Sequence, residues 1–111
     1  MADSPLPPIV RIFEDEMRRR FNEASYIERA ERGELTVVVL YPSDRLAPPE
    51  AGQKPGTLSQ TISYRDLDGN EVARAHRYLC PDGTIGGSGR PDPKRLLQDG
   101  VLYRLVKAHN R

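Results

Sequence analysis

A chain of 111 residues, 37% hydrophobic and 30% charged with no tryptophan, specifies one domain with a modest, mostly aliphatic core. Its 10 prolines and 9 glycines require sizeable loops, and its one cysteine excludes an internal disulfide. The net charge of +1 argues against a strongly basic nucleic-acid binder, but residues 1–56 carry −2 and residues 57–111 carry +3, a mild asymmetry that permits an acidic partner for the C-terminal half.

Residues 1–7 read as a loose proline-rich arm, 8–107 as a single domain with a proline-rich loop at 42–56, and 108–111 as a tail. The opening MADSPLPP has neither the basic segment nor the apolar run of a signal peptide. No stretch approaches the length of a membrane span, so a cytoplasmic location without a membrane partner is expected. From Pro8 onward, Val10, Phe13, Met17, Phe21 and Ala24 recur every three or four residues, which predicts a helix with one apolar stripe. Glu14–Arg18, Asp15–Arg19 and Glu16–Arg20 are acid-before-base pairs four apart, each worth about 0.2–0.5 kcal/mol. Arg18-Arg19-Arg20 therefore reads as an internally paired, solvated face. Ser25 and Glu28 form a capping-box pattern that predicts a break near Asn22 and a restart. Gly33 stops the second piece.

Leu35 to Tyr41 is almost continuously apolar and β-branched, the pattern of a central strand. Pro42 ends it. Leu58 to Asp66 alternates, Asp68-Gly69 turns the chain, and Glu71 to Leu79 returns. A two-residue turn pairs Ile62 with Ala75, Tyr64 with Ala73 and Leu58 with Leu79. A three-residue turn with a bulge sets Ile62 against Arg74 instead. The first register is preferred because it keeps apolar with apolar. It also places Arg65, Arg74, Thr61, His76, Ser59 and Tyr78 on the opposite face.

Pro81-Asp82-Gly83 is a hairpin turn that returns Ile85 beside Leu79. Cys80, next to it, reads as a packed thiol, since spacing offers it no base partner. Gly86, Gly87 and Gly89 crowd one corner, where backbone freedom must serve a bend, a bulge or a close approach. Asp92-Pro93 reads as the cap and first position of a short helix near Pro93–Gln98. Asp99-Gly100 turns again, and Val101–Val106 closes the fold. The predicted class is α+β: an N-terminal helix, broken near Asn22, on a four- to five-stranded antiparallel sheet, with the short helix near Pro93–Gln98.

Two functional readings follow. In the first, backbone N–H groups of Gly87, Ser88 and Gly89, the helix start, and Arg90, Lys94 and Arg95 converge on a phosphate. Beside them His76 acts as general acid or base with Arg74 stabilising developing charge, and Tyr78 stacks on a base. That describes a phosphate- or RNA-directed protein, in its finer form a metal-independent ribonuclease using no cofactor. The size and the helix-then-sheet layout are similar to ribonuclease toxins of bacterial toxin–antitoxin pairs, with no shared motif; the resemblance implies an antitoxin-like protein partner. In the second reading the glycine corner is architecture, His76 is a cross-strand residue bonded to Thr61, and the protein is a non-catalytic interaction module that docks a partner through the N-terminal helix or the proline loop. No His/Cys/Asp spacing suits a metal. Asp66, Asp68 and Glu71 read as turn residues before calcium ligands.

Overall fold

The computed structural model of the chain describes residues 6–106. The expected arm, save Leu6 and Pro7, and the expected tail lie outside the described residues. The elements in order are β1 (Ile9–Ile12), α1 (Glu14–Glu23), α2 (Tyr26–Glu31), β2 (Thr36–Val39), a 3-10 turn at Pro49–Ala51, β3 (Leu58–Arg65), β4 (Glu71–Leu79), β5 (Asp92–Gln98) and β6 (Val101–Leu105). The strands form one sheet in the order β1-β6-β5-β4-β3-β2, with β1 parallel to β6 and every other pair antiparallel. The fold is α+β, as predicted, but the sheet has six strands and is mixed.

Two segments depart from their local signals. The helix begins at Glu14 and not near Pro8, because Ile9–Ile12 pairs with Leu102–Leu105 as a strand. Ile9, Val10 and Ile12 are β-branched, and a partner some 90 residues away outweighs a period that one helical turn leaves ambiguous. Val10 and Phe13 are accordingly exposed, whereas Met17 and Phe21 are buried. The short helix predicted near Pro93–Gln98 does not form; that segment is β5, seated between β4 and β6. Pro93 fits because the register slips there: Arg74 faces Arg95, Ala75 faces Pro93, and Lys94 is the extra residue. A bulge is one of the few places where a strand tolerates a residue without an N–H.

Smaller corrections have local causes. Leu35–Tyr41 holds an edge strand, β2, and not a central one; Leu35 is buried but Val37 is 37% exposed. The helix break falls at Ala24–Ser25, where Ser25 takes a left-handed φ of 57° and makes no capping bond. Of the predicted helix pairs, Glu16–Arg20 forms at 2.8 Å, whereas Arg19 turns to Glu23 and Arg18 to Asp92. Gly33, with φ of 81°, ends α2 as predicted.

The β3–β4 hairpin takes the preferred register, with Ile62 facing Ala75, Tyr64 facing Ala73 and Leu58 facing Leu79. It gets there by an unpredicted route. The turn has three residues: Asp66 N–H donates to Asn70 O, and Gly69 has φ of 86°. A bulge between Tyr64 and Arg65 in the ladder then skips Val72 and restores the apolar pairing. Burial of the apolar face dictates the register, and the bulge absorbs the mismatch. The small Ala73 and Ala75 leave room for the aromatic cluster of Phe21, Tyr26 and Tyr64, whose ring centroids lie 5.4–6.3 Å apart. Both helices sit on this face. Residues 43–47 run beside β3, with Ser59 N–H donating to Arg45 O and Ala47 N–H donating to Thr57 O.

Candidate functional site

The face away from the helices carries the charge. Alternation along β4 puts Arg74, His76 and Tyr78 there, with Ser59, Thr61 and Ser63 of β3 beside them, as the register predicts. The neighbouring strands add what the sequence did not reveal. Arg11 of β1 faces Arg104 of β6, Arg104 faces Arg95 of β5, and Arg95 faces Arg74 of β4. Four arginines thus form one row across four adjacent strands. Three intervals of about 4.8 Å give it a span of about 14 Å. Arg11, Arg74, Arg95, Arg104 and the bulged Lys94 line a groove of about 300 Å³.

One carboxylate serves this row. Glu71 Oε2 accepts bonds from Arg74 Nε at 3.1 Å and Ser63 Oγ at 2.6 Å, and its Oε1 lies 3.5 Å from Arg95 Nη1. Arg65 joins from the other side, its Nε donating to Ser63 Oγ at 3.3 Å. Partial burial, then the field of Arg74, and more weakly that of Arg104, hold the Arg95 guanidinium below its ordinary pKa, with Glu71 opposing. Like charges directly opposite one another destabilise a sheet. A row of this kind breaks a local folding rule, and such breaks concentrate at functional sites.

His76 stands one position along β4 from the row. It is half-buried, and its ring packs edge-on against Tyr78 at 4.7 Å between centroids. Its Nε2 lies 2.7 Å from Ser59 Oγ. The partner is thus the diagonal Ser59 and not the directly opposite Thr61. Desolvation first, then Lys94, pushes the imidazole below its usual pKa, and Asp92 opposes them. Both effects favour the neutral ring. One nitrogen then carries the proton and the other a lone pair, shared out with the Ser59 hydroxyl.

Beyond His76 the sheet splays. Asp92 is the last residue of β5 to face β4, while β4 runs on to Leu79 and meets Ile85, and Gly86 N–H donates to Tyr78 O at 2.8 Å. The gap is a cleft of about 460 Å³ between β4, the glycine corner and α1. His76, Tyr78, Gly87, Ser88, Arg90 and Lys94 line it, with Arg18 and Asn22 from the helix. Lys94 lines both cleft and groove, so the two adjoin.

The expected site residues thus fall into two adjoining places. His76, Tyr78, Gly87, Ser88, Arg90 and Lys94 meet at the cleft; Arg74, Arg95 and Lys94 meet at the groove. Gly89 borders neither and faces a hollow beside Ile27 and Tyr64. No helix dipole contributes, because Asp92 starts a strand; its carboxylate pairs with Lys94 at 3.0 Å and Arg18 at 3.5 Å. The glycine corner has its own structural causes. A side chain at Gly86 would strike Gln53 of the proline loop, and Gly87 and Gly89 have φ of 66° and 85°. Arg90 ties the corner to the helices through Asn22 Oδ1 at 3.0 Å and Glu28 at 3.7 Å.

Sequence reasoning missed Arg11, Arg104, Arg18 and Asn22, and it gave His76 the partner Thr61 in place of Ser59. A signal for the first two was present: each is a lone arginine inside a short apolar strand, IVRI and VLYRL. Cys80 is buried and free, and Asp66 Oδ1 caps its own turn by accepting from the N–H groups of Asp68 and Asn70. Among the described residues no three His, Cys, Asp or Glu side chains gather as metal ligands, and no helix is long and apolar enough to cross a membrane. Set beside known proteins, the chain matches no family model, no curated protein and no solved structure.

Proposed function

We propose that this protein binds RNA or a similar phosphate-bearing chain across the sheet face that no described helix covers. The observation that carries the reading is the in-register row Arg11–Arg104–Arg95–Arg74, answered among the described residues by the carboxylate of Glu71. Planar guanidinium forks suit phosphate oxygens, and a bound polyanion would offset the repulsion within the row. His76 and Tyr78 at one end of the face offer rings to unpaired bases.

The test is a salt titration of binding to a fluorescein-labelled oligouridylate. Four phosphate contacts give a slope of about −3 for log affinity against log salt, and Arg104→Gln flattens it by about 0.7. Because Arg104 faces like charge, the same substitution raises thermal stability. Binding that ignores both salt and Arg104 would eliminate the reading.

Cleavage is the finer form of this function and rests on the imidazole of His76, which can accept the proton of a ribose 2′-hydroxyl as its oxygen bonds to phosphorus. Neighbouring cations stabilise the charged phosphorane, the P–O5′ bond then breaks, and the leaving 5′-oxygen takes a proton from the imidazolium or from solvent. If the RNA is cut, His76→Ala abolishes cutting, while binding through the arginine row persists. Cutting that survives His76→Ala removes the residue from the chemistry. The interaction-module reading draws on exposed apolar side chains at the helix start and in the proline loop: Phe13 at 72%, Tyr41 at 97% and Leu46 at 64%. It gains if oligouridylate is ignored and a protein partner is lost on Tyr41→Ser with Leu46→Ser.

A further inference from the structure

We infer that the cleft beyond His76 takes an unstacked nucleobase from the strand lying on the arginine row, making the protein a reader of single strands with at least one splayed base. The inference rests on the RNA-directed reading above. It goes beyond that reading because a row of arginines alone would accept any polyanion, duplex RNA and inorganic polyphosphate included.

Three features of the cleft support it. First, it adjoins the groove: Lys94, the extra residue of the bulge opposite Arg74 and Ala75, borders both. A strand whose phosphates follow the arginines needs to pass only Lys94 to reach the cleft. Second, its wall holds two rings at 82° to each other, His76 and Tyr78. Perpendicular rings offer a base one face to stack on and one edge to meet, and every base has a face to stack. Third, polar groups stand at the far wall on a different element. Asn22 spends its Oδ1 on Arg90, which leaves the amide N–H groups of the same side chain to donate to a base carbonyl. The volume of about 460 Å³ suits a nucleoside-sized group. A base inside a duplex is stacked on both sides and cannot enter, which is why the surface selects single strands.

The experiment compares oligouridylate with the same backbone made of abasic residues, at equal length and charge, and with an RNA duplex of equal phosphate count. Wild-type protein binds oligouridylate roughly tenfold or more tightly than the abasic strand, the effect of one stacked base. Tyr78→Leu brings oligouridylate down to the abasic level and leaves abasic binding unchanged, while Tyr78→Phe keeps the preference. Tyr78 lies on the open face away from the buried core, and a thermal melt of each variant verifies folding. Equal binding of oligouridylate and abasic strand overturns the base cleft and leaves the arginine row standing. A preference that survives Tyr78→Leu overturns it as well. If neither strand binds, the RNA-directed reading itself fails.

Discussion

His76 illustrates how one residue couples the fold to pH. Its folded pKa lies below the ordinary 6.5 because desolvation, and then Lys94, disfavour the cation. Between the two values the unfolded chain holds more protons than the folded one, so stability rises with pH through that window and is complete above about 6.5. Acid therefore weakens the fold as pH drops below about 6.5, and His76→Gln flattens this part of a stability–pH curve measured by denaturant titration. A bound phosphate favours the imidazolium, so RNA affinity increases over the same descent. Thr57 makes a second residue-scale case. Its Oγ1 is buried without a hydrogen-bond partner, and an orphaned buried hydroxyl costs about 1–3 kcal/mol. Thr57→Val is expected to raise the melting temperature; a fall would mean the hydroxyl is satisfied in solution.

At the scale of elements, legibility followed the distance between partners. The β3–β4 register was readable because both strands and their turn lie within one short stretch, and alternation alone assigned Arg74, His76 and Tyr78 to one face. The Asp99-Gly100 turn was equally local, with φ of 51° and 76° suited to a two-residue hairpin. β1 and β5 were not readable. Ile9–Ile12 becomes a strand only because β6 offers an edge, and Pro93–Gln98 becomes one only because two strands flank it. Half of the arginine row was hidden for the same reason: Arg11 and Arg104 meet only through that parallel pairing. The parallel strand therefore has a structural share and, on the RNA-directed reading, a functional one. Ile12 is buried at 6% exposure beneath α1. Ile12→Ala should cost roughly 2–4 kcal/mol of unfolding free energy. It should also lower RNA affinity, because Arg11 rides on the same four residues. Denaturant melts and the salt titration test the two effects separately.

For the whole molecule, the helices cover one face of the sheet and leave the other to solvent and charge. A ligand that bridges four strands binds the folded sheet and has nothing to bridge in the unfolded chain. Oligouridylate at about 100 times its Kd should therefore add about 2.7 kcal/mol to stability, visible as a melting shift of several degrees. The abasic strand adds stability as well, scaled to its weaker Kd.

Among the described residues the row of guanidinium groups ends at β1, while the opposite rim presents Thr36 and Val38, with Arg65 of β3 facing Thr36. This face is thus electrically lopsided, with an in-plane moment pointing toward the β1 margin. An approaching polyanion exerts a torque that swings that margin forward, so encounter begins at Arg11 and proceeds inward toward His76. Capture rates should then collapse with added salt far more than escape rates do, a signature of steering readable by stopped-flow.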